Sequence, residues 1–259
     1  MSIKAFVSSV GRPVIWRGII TIGGKTAQFS KGRFLASSCK LHQRRSEPYL
    51  PDLLHATLWR DHQDIARECL ALPFVVGLGD GSLEASAFRR YVAQDAFFLR
   101  AFFSAYALAA VKIEQVDLVR RLHKLMGGVL EELELHRKYA TELDINLEEV
   151  QPNPATSVYT DFLLRTAWAG NVSEIIAAMT PCMRLYAWLG QQLALPGHTP
   201  GPYRDWVETY AGDEFDGLAT NLEHLLDELA QDTPQIRFNY GYALRCESVF
   251  FEVQQLDRS

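Results

Sequence analysis

The sequence predicts an all-α, single-domain protein from residue 48 onward, on the basis of three observations. Apolar residues recur at helical spacing in successive segments, and no window alternates apolar and polar residues over a useful length. No linker divides residues 48–259, so we expect one helical bundle. No stretch reaches the roughly 18 uninterrupted apolar residues of a membrane span, so we expect no membrane partner.

The first 47 residues differ in charge from the rest of the chain. Residues 1–46 contain nine of the 26 Lys and Arg residues and no acid, whereas the remainder holds all 31 acids against 17 bases. We expect this basic extension to be disordered. Its composition resembles that of an organellar transit peptide. It could also be sequence translated from a start codon placed too early, or a nucleic-acid-binding arm. The acidic body argues against nucleic acid or an anionic membrane as its partner.

The cysteines and the extension together bear on localisation. The four cysteines lack CxxC spacing, and the extension lacks the apolar core of a secretory signal. We therefore expect reduced thiols in the cytoplasm, or in a plastid or mitochondrion if residues 1–46 are a transit peptide.

One of the first predicted helices carries a carboxylate on its apolar face. A helix is predicted over residues 53–72, a glycine-rich loop over 74–81, and a helix N-cap at Ser82. The helix that follows carries Asp95 within one apolar stripe, which is formed by Phe88, Tyr91, Val92, Phe98, Leu99 and Phe102. Because a buried carboxylate is costly unless it is paired, Asp95 indicates either a polar site or a structural hydrogen bond.

Two charged helical segments are predicted next, over residues 114–125 and 128–143. The second carries Glu132 and His136 at positions i and i+4, a spacing that can bind a metal. The same spacing also occurs in exposed or half-buried charged pairs on helices. We predict no metal site.

The middle of the chain contains a candidate nucleophile. A helix bearing Tyr159 closes at Gly170, Asn171 opens the next helix, and Pro181 is predicted to begin another. Cys182 then lies in a first helical turn, where the helix dipole favours a thiolate. Its alternative role is that of a small buried hydrophobic residue.

The C-terminal part repeats the pattern of Asp95. Helices are predicted over residues 203–210, 218–229 and from about 234 onward. In the last helix, Glu247 has apolar neighbours one turn away on both sides. A thiol, two inward carboxylates whose pKa burial would raise, and recurrent tyrosines suit a pocket for a flat, partly polar ring. No histidine adjoins the thiol, which argues against papain-like proteolysis.

Seven short segments, taken in order and at similar spacing, resemble the TenA/thiaminase II family over roughly residues 50–252. They are Val75 to Leu83, Tyr91 to Leu99, Leu135 to Tyr139, Tyr159 with Gly170-Asn171, Thr180-Pro181-Cys182, Glu208 to Phe215, and Glu247 to Phe251. This resemblance implies a heme-oxygenase-like helical fold without heme, commonly a homotetramer, and no cofactor. It also implies hydrolysis of 4-amino-5-aminomethyl-2-methylpyrimidine to hydroxymethylpyrimidine in thiamin salvage.

The resemblance also assigns roles to individual residues. Cys182 matches the cysteine-type nucleophile that adds to the pyrimidine, and Glu247 matches the glutamate that assists proton transfer. Asp95 matches the carboxylate that binds the amino-pyrimidine edge. Phe98 stands at the ring-stacking position, and the other residues predicted to line the site are Tyr159, Tyr186 and Tyr210.

Two other functions remain open from the sequence. Glu132 and His136 motivate a non-heme di-iron oxidase on the same fold, although the last helix offers no histidine for it. The other is a non-catalytic pyrimidine-binding protein that keeps the pocket. The sequence decides neither whether thiamin itself is cleaved nor which amine is expelled.

Overall fold

The computed structural model describes residues 21–22, 25–26 and 53–255. The chain divides into two units, residues 1–49 and 50–259. In the first unit, strand β1 (Thr21–Ile22) pairs with β2 (Lys25–Thr26) in antiparallel register, with Thr21 opposite Thr26. The rest of the predicted basic extension lies outside the described residues.

The second unit is built from α-helices and one short 3-10 turn. The helices are α1 (Leu54–Asp61), α2 (Gln63–Ala71), α3 (Pro73–Asp80), α4 (Ala85–Ala110), α5 (Val116–Glu142), α6 (Pro154–Ala169), α7 (Val172–Leu193), α8 (Arg204–Ala211), α9 (Asp213–Leu229) and α10 (Pro234–Gln255). The 3-10 turn, Gly201–Tyr203, leads into α8. The all-α prediction for this region is confirmed. No helix in the described part of the chain combines the length and apolar character of a membrane span.

Helix α7 lies at the centre of the bundle, because it packs against α8, α9 and α10 and also contacts α4 and α6. The Asn171 side chain caps its first turn by accepting a hydrogen bond from the Glu174 amide at 3.0 Å. The prediction that a new helix begins at Pro181 is wrong, because Pro181 lies inside α7. Cys182 therefore sits in the middle of a helix, far from its positive end.

Two predicted boundaries near the start of the bundle are also wrong. The first predicted helix is two helices that meet at His62, and residues 73–80 form α3 where a loop was expected. The glycines of α3 allow close packing, since a Cβ on Gly77 would lie 2.9 Å from Leu83. Gly81, with φ of 78°, ends the helix in the left-handed conformation.

The first residue of α4 and the length of α5 also differ from the prediction. Glu84, rather than Ser82, holds the N-cap position of α4, while the Ser82 amide donates to Asp80. The two predicted charged segments are one helix, α5, which continues through Gly127 and Gly128. Gly128 faces Leu218 of α9, and a Cβ there would lie 2.6 Å from the leucine side chain. Close packing thus explains this glycine inside a helix.

Candidate active site

Four helices direct ionisable side chains into one buried cluster between them. Asp95 comes from α4, Glu132 and His136 from α5, Cys182 from α7 and Glu247 from α10. Asp95, His136, Cys182 and Glu247 each expose at most 7% of their surface. The apolar stripes of these helices place the polar groups inward, because the same stripes form the core.

Glu247 links the thiol to a tyrosine. The Tyr159 hydroxyl donates a hydrogen bond of 2.6 Å to Oε1 of Glu247, and the Cys182 thiol interacts with the same carboxyl group. Burial raises the pKa of Glu247 to about 8, even though the hydrogen bonds from Tyr159 and Cys182 act to lower it. Glu247 therefore carries a proton at neutral pH, which allows it to act as an acid.

Cys182 is a neutral thiol in the resting protein. Burial raises its pKa well above the ordinary value, and the nearby carboxylates of Glu247, Glu132 and Asp95 raise it further. The predicted thiolate at a helix N-terminus is therefore wrong, because the helix begins ten residues earlier. The thiol is in hydrogen-bond contact with the carboxyl group of Glu247.

Asp95 faces His136 across the gap between α4 and α5. Oδ2 of Asp95 lies 2.7 Å from Nε2 of His136, and both side chains are almost fully buried. The pair is an ion-pair contact without the alignment of a linear hydrogen bond. Burial lowers the pKa of His136, but the adjacent Asp95 and Glu132 outweigh burial, so the net shift is upward.

Glu132 occupies the edge of the cluster. The Tyr210 hydroxyl donates a hydrogen bond of 2.5 Å to Oε1 of Glu132. Burial and the charge of Asp95 raise the pKa of Glu132 to about 7. Glu132 and Met183 also line a cavity of about 310 Å³ bounded by residues of α5, α7, α8 and α9, so this cavity reaches the edge of the cluster.

Aromatic rings surround the ionisable groups. The Phe98 ring lies 4.7 Å from Tyr159, and the Tyr186 ring lies 4.9 Å from Tyr210, as measured between centroids. Tyr186 also packs on Phe251 of α10 at 5.4 Å. These distances are typical of tilted and edge-to-face aromatic pairs. The seven predicted site residues thus lie in one cluster. A larger groove of about 780 Å³, lined by α4, α6 and α10, includes none of them.

The cluster contains three residues beyond that prediction. Glu132 and His136 were considered only as a metal-binding or exposed pair, yet each has a separate protein partner, Tyr210 and Asp95. Among the described residues, no three His, Cys, Asp or Glu side chains are arranged to hold a metal ion. The third is Tyr106 of α4, whose buried hydroxyl has no hydrogen-bond partner within residues 53–255 and interacts electrostatically with Cys182 and Glu132.

Comparison with known proteins identifies the family to which this arrangement belongs. Residues 59–251 match the model of the TENA/THI-4/PQQC family. The chain belongs to this family. The matched range includes all five ionisable side chains of the cluster, so the resemblance to TenA proteins seen in the sequence motifs is confirmed.

Curated relatives of this TenA-family chain carry names from thiamin metabolism. It is 37% identical over 182 residues to the aminopyrimidine aminohydrolase of Halalkalibacterium halodurans, which covers 68% of this chain and 81% of the relative. It is 35% identical over 221 residues to the bifunctional TH2 protein, mitochondrial, of Arabidopsis thaliana. That match covers 73% of this chain but 36% of the plant protein, so the chain corresponds to about a third of it.

Solved structures share the fold of this TenA-family chain. The TenA homologue of P. horikoshii OT3 superposes with a TM-score of 0.70 at 28% identity, covering 77% of this chain and 97% of the homologue. A TenA family transcription regulator from Silicibacter sp. TM1040 gives a TM-score of 0.73 at 25% identity, covering 77% and 95%. The predicted heme-oxygenase-like fold is therefore confirmed.

Proposed function

We propose that this protein is an aminopyrimidine aminohydrolase of thiamin salvage, which converts 4-amino-5-aminomethyl-2-methylpyrimidine to the corresponding hydroxymethylpyrimidine. The names of its relatives support hydrolysis of an aminopyrimidine. The observation that carries the proposal is the buried thiol of Cys182 in contact with a carboxyl group that holds a proton at neutral pH. A thiol and a proton donor side by side suit covalent addition to an electron-poor ring.

The first step is addition of the thiol to the pyrimidine. The sulfur of Cys182 bonds to a ring carbon, and Glu247 gives its proton to a ring nitrogen. The thiol proton passes to Glu247, so the carboxyl group is restored and the net charge of the buried site does not change. Because the site is shielded from water, a step that creates no net charge is favoured over one that does.

The second step exchanges the amine for a hydroxyl group. Electrons that the addition places in the ring expel the amine from the methylene carbon, and the amine leaves with the proton of Glu247. Water then bonds to the methylene carbon and gives a proton to Glu247. The carbon–sulfur bond breaks, and the thiol leaves with the proton of the ring nitrogen, which restores the aromatic ring. The balance is one water consumed and one ammonia released, with Cys182 and Glu247 returned to their starting forms.

Asp95 and the aromatic residues hold the ring during these steps. We assign Asp95 as the acceptor of a hydrogen bond from the exocyclic amino group, because it is a buried carboxylate within the cluster. Phe98, Tyr159, Tyr186 and Tyr210 form the aromatic wall. A rigid aromatic wall orients a flat ring at little entropic cost, so the sulfur and the ring carbon meet in reactive geometry.

The proposal is tested with Cys182→Ala. The matched control is Cys246→Ala, because Cys246, on α10, is also a free and buried cysteine. We expect Cys182→Ala to reduce kcat by at least about a thousandfold while pyrimidine binding is retained, and the control to keep normal kcat. Unchanged turnover in Cys182→Ala contradicts the covalent mechanism. A wild-type protein that binds the pyrimidine without turnover is the non-catalytic binder considered above.

The substrate is tested with a panel of thiamin, the aminomethylpyrimidine and its formylated form. We expect the aminomethylpyrimidine to give the highest kcat/KM, with products identified by mass spectrometry. Stoichiometric iron in the purified protein, together with oxidised products, would instead support the di-iron oxidase.

The homotetramer stays a prediction that comes from the family resemblance. The cytoplasmic location, or a plastid or mitochondrion if residues 1–46 are a transit peptide, stays a prediction that comes from the cysteine spacing and the lack of a secretory signal. Light scattering on the purified full-length chain measures the first, and fractionation of the source cells measures the second.

A further inference from the structure

His136 is held between a backbone carbonyl and a carboxylate. Its Nδ1 lies 2.9 Å from the carbonyl oxygen of Glu132, one turn earlier on α5. Its Nε2 lies 2.7 Å from Oδ2 of Asp95 on α4. The side chain exposes 1% of its surface, so no bulk water shares these contacts.

These two contacts determine how many protons His136 and Asp95 carry between them. A carbonyl oxygen only accepts hydrogen bonds, so Nδ1 of His136 carries a hydrogen. In a neutral ring, Nε2 would then present a lone pair to Oδ2 of Asp95 at 2.7 Å, which is repulsive if Asp95 is ionised. The pair therefore holds one more proton, either as imidazolium with carboxylate or as neutral imidazole with carboxylic acid.

The surroundings favour the imidazolium with carboxylate. An ion pair needs no linear alignment, which agrees with the off-axis contact between Nε2 and Oδ2. Glu132 adds a further carboxyl group near the ring, and together with Asp95 it raises the pKa of His136 against the effect of burial. The other titratable groups around the pair are Tyr91 on α4, Tyr139 on α5, Cys182 and Tyr186 on α7, Tyr210 on α8 and Glu247 on α10.

We propose that His136 is a positioning residue whose proton keeps Asp95 an ionised acceptor, and that the protein thereby selects 4-amino over 4-oxo pyrimidines. This role rests on the proposed function, in which Asp95 binds the pyrimidine edge. An ionised Asp95 accepts a hydrogen bond from an amino group and repels an oxo group. A protonated Asp95 would instead donate a hydrogen bond to an oxo group, so the location of one proton sets the preference.

The proposal predicts the direction in which pH changes the binding of the amino compound. The pKa of His136 is raised, so the imidazolium persists at pH values where an ordinary histidine is already neutral. As the pH rises through the raised pKa, His136 loses its proton while Asp95 stays ionised. The lone pair of Nε2 then repels the carboxylate at 2.7 Å, so Asp95 is no longer held in position to accept from the amino group. Binding of the amino compound should therefore decline on the alkaline side.

The binding test uses His136→Gln, which keeps a donor near the position of Nε2 but cannot be ionised. The matched control is His123→Gln, an exposed histidine on the same helix. The probes are 4-amino-5-hydroxymethyl-2-methylpyrimidine and its 4-oxo analogue, measured by calorimetry from pH 6 to 9. We expect His136→Gln to weaken binding of the amino probe about tenfold or more, to narrow the amino-to-oxo preference and to remove the alkaline decline. The control should behave as wild type.

A second measurement needs neither variant nor ligand. Nitrogen NMR of the histidine rings in the full-length wild-type protein should show both ring nitrogens of His136 protonated at neutral pH. An unprotonated Nε2, or an unchanged amino-to-oxo preference in a folded His136→Gln, overturns the proposal. Failure of the wild type to bind either probe overturns the proposed function and this role with it, whereas binding that His136→Gln leaves unchanged overturns the role of His136 alone.

Discussion

At the scale of single residues, burial keeps two glutamates of the site protonated at pH values where an exposed glutamate is ionised. Glu247 is raised to a pKa of about 8 and Glu132 to about 7, in both cases chiefly by burial. The folded protein therefore binds more protons than the unfolded chain at intermediate pH. By linkage, these two groups make stability fall as the pH rises from the ordinary glutamate value of 4.5 toward 8.

This linkage predicts the behaviour of Glu247→Gln, which imitates the protonated acid and still accepts the hydrogen bond from Tyr159. We expect the wild type to lose stability between pH 5 and pH 8, by roughly 2 kcal/mol or more from Glu247, and the variant to lose less. Urea unfolding at the two pH values measures the difference. An equal loss in both proteins would show that Glu247 is already ionised at pH 5. Because the variant cannot transfer a proton, its turnover should fall sharply.

The sequence predicts the site residues where a charge interrupts an apolar stripe. Asp95 and Glu247 stand out because their helices are otherwise apolar on that face. Glu132 and His136 were missed as members of the site because α5 is rich in exposed charges that hide which two face inward. The buried residues Leu122, Leu125 and Val129 continue one stripe toward His136, and this signal becomes visible only if the helix is continued through Gly127 and Gly128.

At the scale of helices, two local rules failed because tertiary packing outweighed them. Pro181 suits a helix start, but the Asn171 cap had already begun α7, and the buried surface of that helix stabilises it through the proline. The paired glycines of α5 suggest a break, but Gly128 leaves room for Leu218 of α9. Sequence patterns predicted that the helices exist, while their boundaries depended on neighbours far away in the chain.

A test at this scale is Gly190→Ala in α7. A Cβ there would lie 2.5 Å from the backbone of Tyr210 and Ala211, so α8 would have to move and carry the Tyr210 hydroxyl with it. We expect a loss of about 1–3 kcal/mol of stability and reduced turnover. Chemical unfolding and steady-state kinetics measure the two effects.

The matched control for this test is Gly217→Ala, because nothing lies within 4 Å of a Cβ at that exposed position of α9. This control should gain about 0.5–1 kcal/mol, since alanine favours the helix. Similar effects of the two substitutions would contradict the close approach of α7 and α8.

At the scale of the whole molecule, the helical unit of residues 50–259 contains the entire candidate site. We propose that a chain comprising residues 50–259 folds alone and keeps its pyrimidine binding and turnover. Circular dichroism and kcat/KM should match those of the full-length protein within about twofold, because no residue of the cluster lies before α4. Loss of the helical signal or of turnover would assign the basic extension a structural or catalytic role.

Every described cysteine is buried, and this burial affects how readily the protein is oxidised. Cys69, Cys182 and Cys246 are free and buried, and burial raises the pKa of each above its ordinary value. Peroxide attacks the thiolate form, so these sulfurs are poor targets for it. We expect dilute hydrogen peroxide to inactivate this protein far more slowly than it inactivates an enzyme with an exposed catalytic thiolate. The thiol of Cys182, which we propose as the nucleophile, should thus resist oxidation between turnovers and react only when a bound pyrimidine accepts a proton.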